Sequence, residues 1–247
     1  MKKIIFILIL FLSNSISAQN ISEVIYKKKT NAVLKDSTVH NAGAELIRKT
    51  IKLSSKIAYK LLFDKTHSLF KQIENLELES NNGLAFLLSS SLGGIYGSYA
   101  VFVAKDSVVN QKSFHEDLFR ITSKLSDKNW KIDFKTSKKI GDYTCYKALG
   151  EKRTLMPSGN IKVFPVTAWF APKLPFSFGP AEYAGLPGLI LELEIRKTVI
   201  YADKITLNKK LTKKEQGIKP LKKGILLSSE DYIKMQKSGG VYKRPKR

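Results

Sequence analysis

Cysteine is all but missing from this chain: Cys145 stands alone among 247 residues, so no disulfide can form within one chain and stability must come from a buried apolar core. Histidine is nearly as scarce, with only His40, His67 and His115. The sequence contains no His-Glu-x-x-His, no Cys-x-x-Cys and no Gly-x-Ser-x-Gly, which removes the zinc and serine-hydrolase chemistries that such motifs carry. No metal and no cofactor is expected. Acidic residues are short too: 21 Asp and Glu face 43 Lys and Arg, a formal net charge of +22. Beyond residue 20 no apolar run approaches the ~20 residues that a membrane-crossing helix needs; the nearest is Leu84-Ala85-Phe86-Leu87-Leu88, followed by three serines.

The N-terminus has what the rest lacks. Lys2 and Lys3 precede the apolar run Ile4–Leu12, and Ser15-Ile16-Ser17-Ala18 supplies small residues suited to a signal-peptidase cut before Gln19. Residues 1–18 are expected to be a signal peptide, and with no cysteine at the cut a lipid anchor is not expected. The product crosses the inner membrane to a periplasmic or outer-membrane-associated location. Loss of Lys2 and Lys3 leaves +20 on a mature chain of about 229 residues, long enough for one domain with a sizeable core. That domain is expected over residues 19–240, with 241–247 as a frayed basic tail. Between Arg196 and Arg247, sixteen Lys and Arg meet four Asp and Glu. In an exported protein such charge points away from nucleic acid and toward phosphorylated lipid head groups, lipopolysaccharide, acidic polymers or acidic faces of membrane proteins, or else toward a merely well-solvated surface.

From residue 129 onward the periodicity is two. Trp130, Ile132, Phe134 and Thr136 alternate with charged residues, and Ser137–Asp142 reads as a turn before a returning strand at Tyr143–Ala148. Ile161–Phe170 is apolar on both faces, so it is expected to be covered on both, with Pro165 marking an edge or bulge. Leu189–Arg196 and Val199–Leu207 complete a meander whose short connections favour antiparallel pairing. Upstream, Ile21–Tyr26, Ile57–Phe63, Tyr99–Val103, Val108–Val109 and Leu118–Ile121 read as strands. Ala44, Ile47 and Ile51 recur at helical spacing within residues 44–53. Asn81–Ser98, apolar yet rich in serine and glycine, reads as a long loop or flap. Ser228 followed by Glu230 and Asp231 is a helix-start signal, with Gly239-Gly240 as the stop.

The most specific segment is Gly179–Glu194. Gly185 and Gly188 bracket Leu186-Pro187, a rigid corner that runs into a strand with Leu189, Leu191, Leu193 and Ile195 on one face and Glu192, Glu194 and Arg196 on the other. Gly185-Leu186-Pro187-Gly188-Leu189-Ile190 resembles the signature of the GLPGLI family of secreted bacterial envelope proteins. The landmarks Ile140–Ala148, Ala168-Trp169-Phe170 and Gly179-Pro180 occur in an order similar to that family's. The resemblance spans roughly residues 95 to 205 and implies location and fold: α+β, a curved, half-barrel-like antiparallel sheet with one or two helices against its concave side.

Candidate chemistry is sparse. Cys145 with His115 would make a thiol–base pair, but Cys145 lies on a strand where lone cysteines pack as small hydrophobes. His115-Glu116-Asp117 is the one local cluster of ligand-capable groups and reads as a polar turn. Glu192 and Glu194 project from one strand face at roughly 7 Å, a separation that paired carboxylates use in glycoside hydrolysis; alternating acids on a wet face are the ordinary alternative. No catalytic residue is therefore assigned. The aromatic loop Pro172–Pro187 is more informative, since Phe176, Phe178 and Tyr183 accompany only two charged groups. With Trp169 and Leu186 they either fill the core or rim an apolar cavity. The expected function is a non-catalytic envelope binding protein for an apolar or amphipathic ligand or an outer-membrane protein partner. The alternatives are an envelope hydrolase using Glu192 and Glu194, or a basic adaptor on anionic membrane surfaces.

Overall fold

In the computed structural model, which describes residues 21–31, 41–156, 158–210 and 217–238, the chain forms one open, curved sheet of twelve strands with helices packed against it. The strands are β1 (Ile21–Thr30), β2 (Ala58–Phe63), β3 (His67–Gln72), β4 (Ser98–Phe102), β5 (Ser107–Phe114), β6 (Asp117–Lys124), β7 (Lys131–Ile140), β8 (Tyr143–Leu155), β9 (Ile161–Ala171), β10 (Leu189–Ile195), β11 (Thr198–Lys209) and β12 (Ile225–Ser228). The helices are α1 (Ala42–Ser54), α2 (Leu76–Ser80), α3 (Gly83–Ser91) and α4 (Ser229–Lys237). The expected signal peptide, residues 1–18, and the expected tail, 241–247, lie outside the described residues. No helix among the described residues is long and apolar enough to cross a membrane.

The order β12-β6-β5-β4-β3-β2-β1-β11-β10-β9-β8-β7 reduces to two meanders, β2 to β6 and β7 to β11. Strand β1 joins them by pairing antiparallel with β2 on one side and β11 on the other. Only β12 runs parallel to its neighbour, β6. Period-two alternation on β1 sends Val24, Tyr26 and Lys28 inward, onto a core shared with Tyr59, Leu61 and Phe63 of β2 and Phe70 of β3. A second cluster, Phe119, Ile121, Tyr232 and Met235, docks α4 on β6.

Several expectations need correction. Asn81–Ser98 is not a flap: most of it is α3 and a 3₁₀ turn at Leu92–Gly94. Its sequence is apolar nearly all round, so no amphipathic period betrays the helix. It buries Ala85, Phe86, Ser89 and Ser90 and leaves Leu84, Leu87 and Leu88 exposed. Strand β7 runs through the expected turn to Ile140, the turn being only Gly141-Asp142. It is also the sheet's edge, so its apolar side does not sink into the core: Phe134 is 59% exposed while touching Tyr146 and Phe170 edge-on. In β9 only Val166–Ala171 is well covered; Ile161 and Val163 are exposed because β10 reaches no further than Val166. Pro165 sits just past that limit, where β9 has β8 alone as a neighbour, an edge-like position that tolerates a residue without an N–H. Strand β3 carries no Pro or Gly punctuation of its own and went unread in the sequence.

Candidate functional site

The proline-glycine corner and the aromatic loop are built into the core. Gly185, at φ 88°, donates to the Ser177 carbonyl at 2.9 Å, Leu189 donates to Leu174 at 2.9 Å and Ile190 to Phe178 at 2.9 Å, so the loop is stitched along the start of β10. The Tyr26 hydroxyl donates to the Ile190 carbonyl at 2.6 Å and the Trp130 indole to the Ala184 carbonyl at 2.8 Å. Phe178, Tyr183 and Leu186 are buried, and Phe176 is half-buried with its ring 4.9 Å from that of Phe63. Each buried ring contributes on the order of 1.5–3 kcal/mol. Trp169 packs against the same core cluster from a different strand. It lies on the face of β9 opposite Ala168 and Phe170, with the Lys138 ammonium 4.3 Å above its ring, and that same ammonium bonds Glu192 at 2.7 Å. Phe178, Tyr183 and Leu186 therefore lie in the core, and the half-buried Phe176 and Trp169 pack against it.

The other sequence candidates are dispersed. Cys145 is buried, its thiol donating to the Tyr143 carbonyl at 3.8 Å, and burial pushes its pKa up to about 11, so it stays a thiol. His67 lies by Asp64 and the Phe102 ring, while His115 occupies the β5–β6 turn against Phe114. His40 lies outside the described residues. Among the described residues no group of three or more His, Cys, Asp or Glu is placed to hold a metal.

What the fold does bring together is a recess that no local motif announces. Glu182, at the tip of the aromatic loop, meets Lys128 from the β6–β7 connection at 3.4 Å and Lys152 from β8 at 3.7 Å, both on the same carboxylate oxygen, Oε1. The two ammonium nitrogens are thus no more than 7.1 Å apart, the sum of those distances, where two cations repel by roughly 2 kcal/mol at an effective dielectric near 20. Lys112 of β5 and Arg196 add positive charge around the pair: the Lys112 ammonium lies 4.4 Å over the Tyr232 ring and feels Glu182 and Lys152, and Arg196 acts on Lys152. Burial opposes the Glu182 charge, but Lys128 and Lys152 outweigh it and hold the carboxyl down at about 2. Burial conversely lowers the Lys152 pKa and brings that of Lys112 down to about 8.

The surroundings are polar as well as charged. Lys152 also donates to the Gly94 carbonyl at 2.8 Å, and Lys128 lies 5.0 Å over the Tyr183 ring. Gly94, at φ 67°, allows this close approach; a Cβ there would stand 2.9 Å from Lys152 Cε. The Tyr183 hydroxyl is buried without a hydrogen-bond partner and lies in the field of Glu182 and the Tyr99 hydroxyl. Thr154 Oγ1, two residues beyond Lys152 on the same face of β8, is also unpartnered. The recess is not sealed: side-chain exposures are 12% for Lys128, 13% for Lys152 and 21% for Glu182. Water or a small ion can reach the charges.

A family model described as a protein of unknown function (Porph_ging) matches residues 151–192, the span from β8 through the aromatic loop and the proline-glycine corner into β10. No curated protein matches the chain. Among solved structures, PNGF-II in two crystal forms gives a TM-score of 0.50 at 11% and 13% identity, covering 87% of this chain. This chain spans about a third of the PNGF-II chain, 32% and 33% in the two forms. That likeness is one of fold. The Mycobacterium tuberculosis lipoprotein LppX aligns with 78% of this chain and 89% of its own at 12% identity and a TM-score of 0.28.

Proposed function

We propose that the protein is an exported, non-catalytic binding protein of the cell envelope that receives an anionic, partly apolar ligand or partner in the recess around Glu182. The observation that carries this reading is the charge there: Lys128 and Lys152 converge from two separate segments on one carboxylate oxygen, with Lys112 and Arg196 adding positive charge around them. Partly desolvated like charges need a counter-charge, and solvent supplies it poorly in a recess. Export is supported by the leader-like residues 1–18, and an envelope role by the resemblance of Gly185–Ile190 to the GLPGLI signature. Helix α3 leads through the 3₁₀ turn to Gly94, which receives Lys152, so the exposed Leu87 and Leu88 stand on the segment next to the recess and suit an apolar portion of the ligand.

The hydrolase alternative has less support. Cys145 is held as a thiol, Glu192 is tied to Lys138, and the two described histidines pack by Asp64, Phe102 and Phe114.

Native mass spectrometry of the protein purified from its own envelope tests the proposal. A co-purifying anionic species is expected, lost when Lys128 and Lys152 are both changed to methionine. Recovery of the protein bare from its own membranes, or retention of the same species by the folded double variant, would refute it.

A further inference from the structure

Resting on that reading, we infer that the recess is a site for a doubly charged tetrahedral group, a phosphate monoester or phosphorylated head group, rather than for a single carboxylate. Lys128 and Lys152 set against the one Glu182 carboxylate leave a positive charge in excess, and Lys112 and Arg196, whose charges act on Glu182 or Lys152, add to it. A dianion offsets more of that excess than a monoanion does.

The donor inventory points the same way. An ammonium has three N–H bonds. Lys152 directs one at Glu182 and one at the Gly94 carbonyl, and Lys128 directs one at Glu182, so both retain N–H bonds for a further acceptor. The Tyr183 hydroxyl, on a fully buried residue, has no acceptor among the described residues, and neither has Thr154 Oγ1, two positions from Lys152. Lysines bind phosphate as point charges without the planar fork that matches arginine to carboxylate. A tetrahedral anion with three or four oxygens can take donors from β8, the β6–β7 connection and the aromatic loop together; a carboxylate offers two coplanar oxygens. Glu182 then serves to hold Lys128 and Lys152 in place while the site is empty, and its own charge keeps the empty recess from carrying two unopposed cations.

Isothermal titration with inorganic phosphate and with acetate, at fixed ionic strength, reads the proposal directly. Phosphate is expected to bind at least tenfold more tightly than acetate. Lys152→Met should weaken phosphate at least tenfold, whereas Lys139→Met, which removes the same charge from the exposed edge strand β7, should leave it unchanged. Glu182→Gln raises the excess positive charge by one and should tighten phosphate; this variant decides the matter if Lys152→Met does not fold. Equal affinity for phosphate and acetate would overturn the dianion assignment while leaving an anion-binding recess. Absence of any anion binding, or equal losses in Lys152→Met and Lys139→Met, would remove both. The source of the group is read by cosedimentation: vesicles carrying phosphatidic acid that retain the protein, and release it on addition of phosphate, identify a lipid head group, and competition by a soluble sugar phosphate without vesicle binding identifies a free one.

Discussion

Lys28 shows how one buried charge is accommodated. Of the three consecutive lysines 27 to 29 on β1, alternation turns only the middle one inward, and there it is fully buried. Its ammonium donates to the Ser89 carbonyl and, at 3.3 Å, to the Ser90 carbonyl at the C-terminal end of α3, with the Tyr59 ring 5.5 Å away. A helix C-terminus carries unsatisfied carbonyls and partial negative charge, so a cation is welcome there. Burial nevertheless dominates and brings the Lys28 pKa down from 10.5 to about 7. Between those two values the unfolded chain holds a proton that the folded protein does not. Stability should therefore rise with pH across the window from about 7 toward 10, at up to roughly 1.4 kcal/mol per pH unit from this group. Lys28→Met keeps most of the stem and removes the titration. Urea unfolding at pH 7, 8 and 9 should show a steeper gain in the wild type than in the variant, the remaining slope coming from groups such as Lys112; parallel lines would contradict the assignment.

The element that matters most is the corner at Gly185–Gly188, and its two glycines are needed for different reasons. At Gly185 the requirement is the positive φ of 88°, since an added Cβ would meet nothing nearer than Leu125 at 3.5 Å. Gly185→Ala should cost about 1–2 kcal/mol, the usual penalty for an L-residue in left-handed backbone. At Gly188 the requirement is space, because a Cβ would fall 2.4 Å from the Ala171 carbonyl oxygen at the end of β9. Relieving that contact means moving backbone, so Gly188→Ala should cost more, about 3 kcal/mol or above. Chemical denaturation of the two variants checks the order. Much of this element was legible in the sequence, since proline and glycine act locally and Leu189, Leu191, Leu193 and Ile195 mark the buried face. Helix α3 was not legible, because both of its faces are apolar and only the sheet beneath determines which one is buried.

At the scale of the whole molecule, stability should fall from the middle of the sheet toward its edges. Strand β1 has neighbours on both sides and an inward face lined by Val24 and Tyr26, whereas β7 and β12 each pair on one side only. Hydrogen exchange read by mass spectrometry should find β1 and β11 protected longest and β7 and β12 shortest. Protection of β7 equal to that of β1 would show that the edge is covered by something further. The two-meander plan also explains the recess, for Lys128 lies on the connection between the two meanders, Lys152 on β8 of the second, and the aromatic loop brings Glu182 to both.

Composition and period alone determined that this chain folds without disulfides, that it is dominated by antiparallel strands, and where the corner into β10 falls, because those properties depend on residues a few positions apart. The partners across the sheet and the meeting of Lys112, Lys128, Lys152 and Glu182 were decided only by tertiary structure. Those four residues are separated by up to seventy positions and are indistinguishable, as sequence, from the other charges among 43 basic and 21 acidic residues. Charge interactions become specific through distance and desolvation, and both are properties of the folded chain.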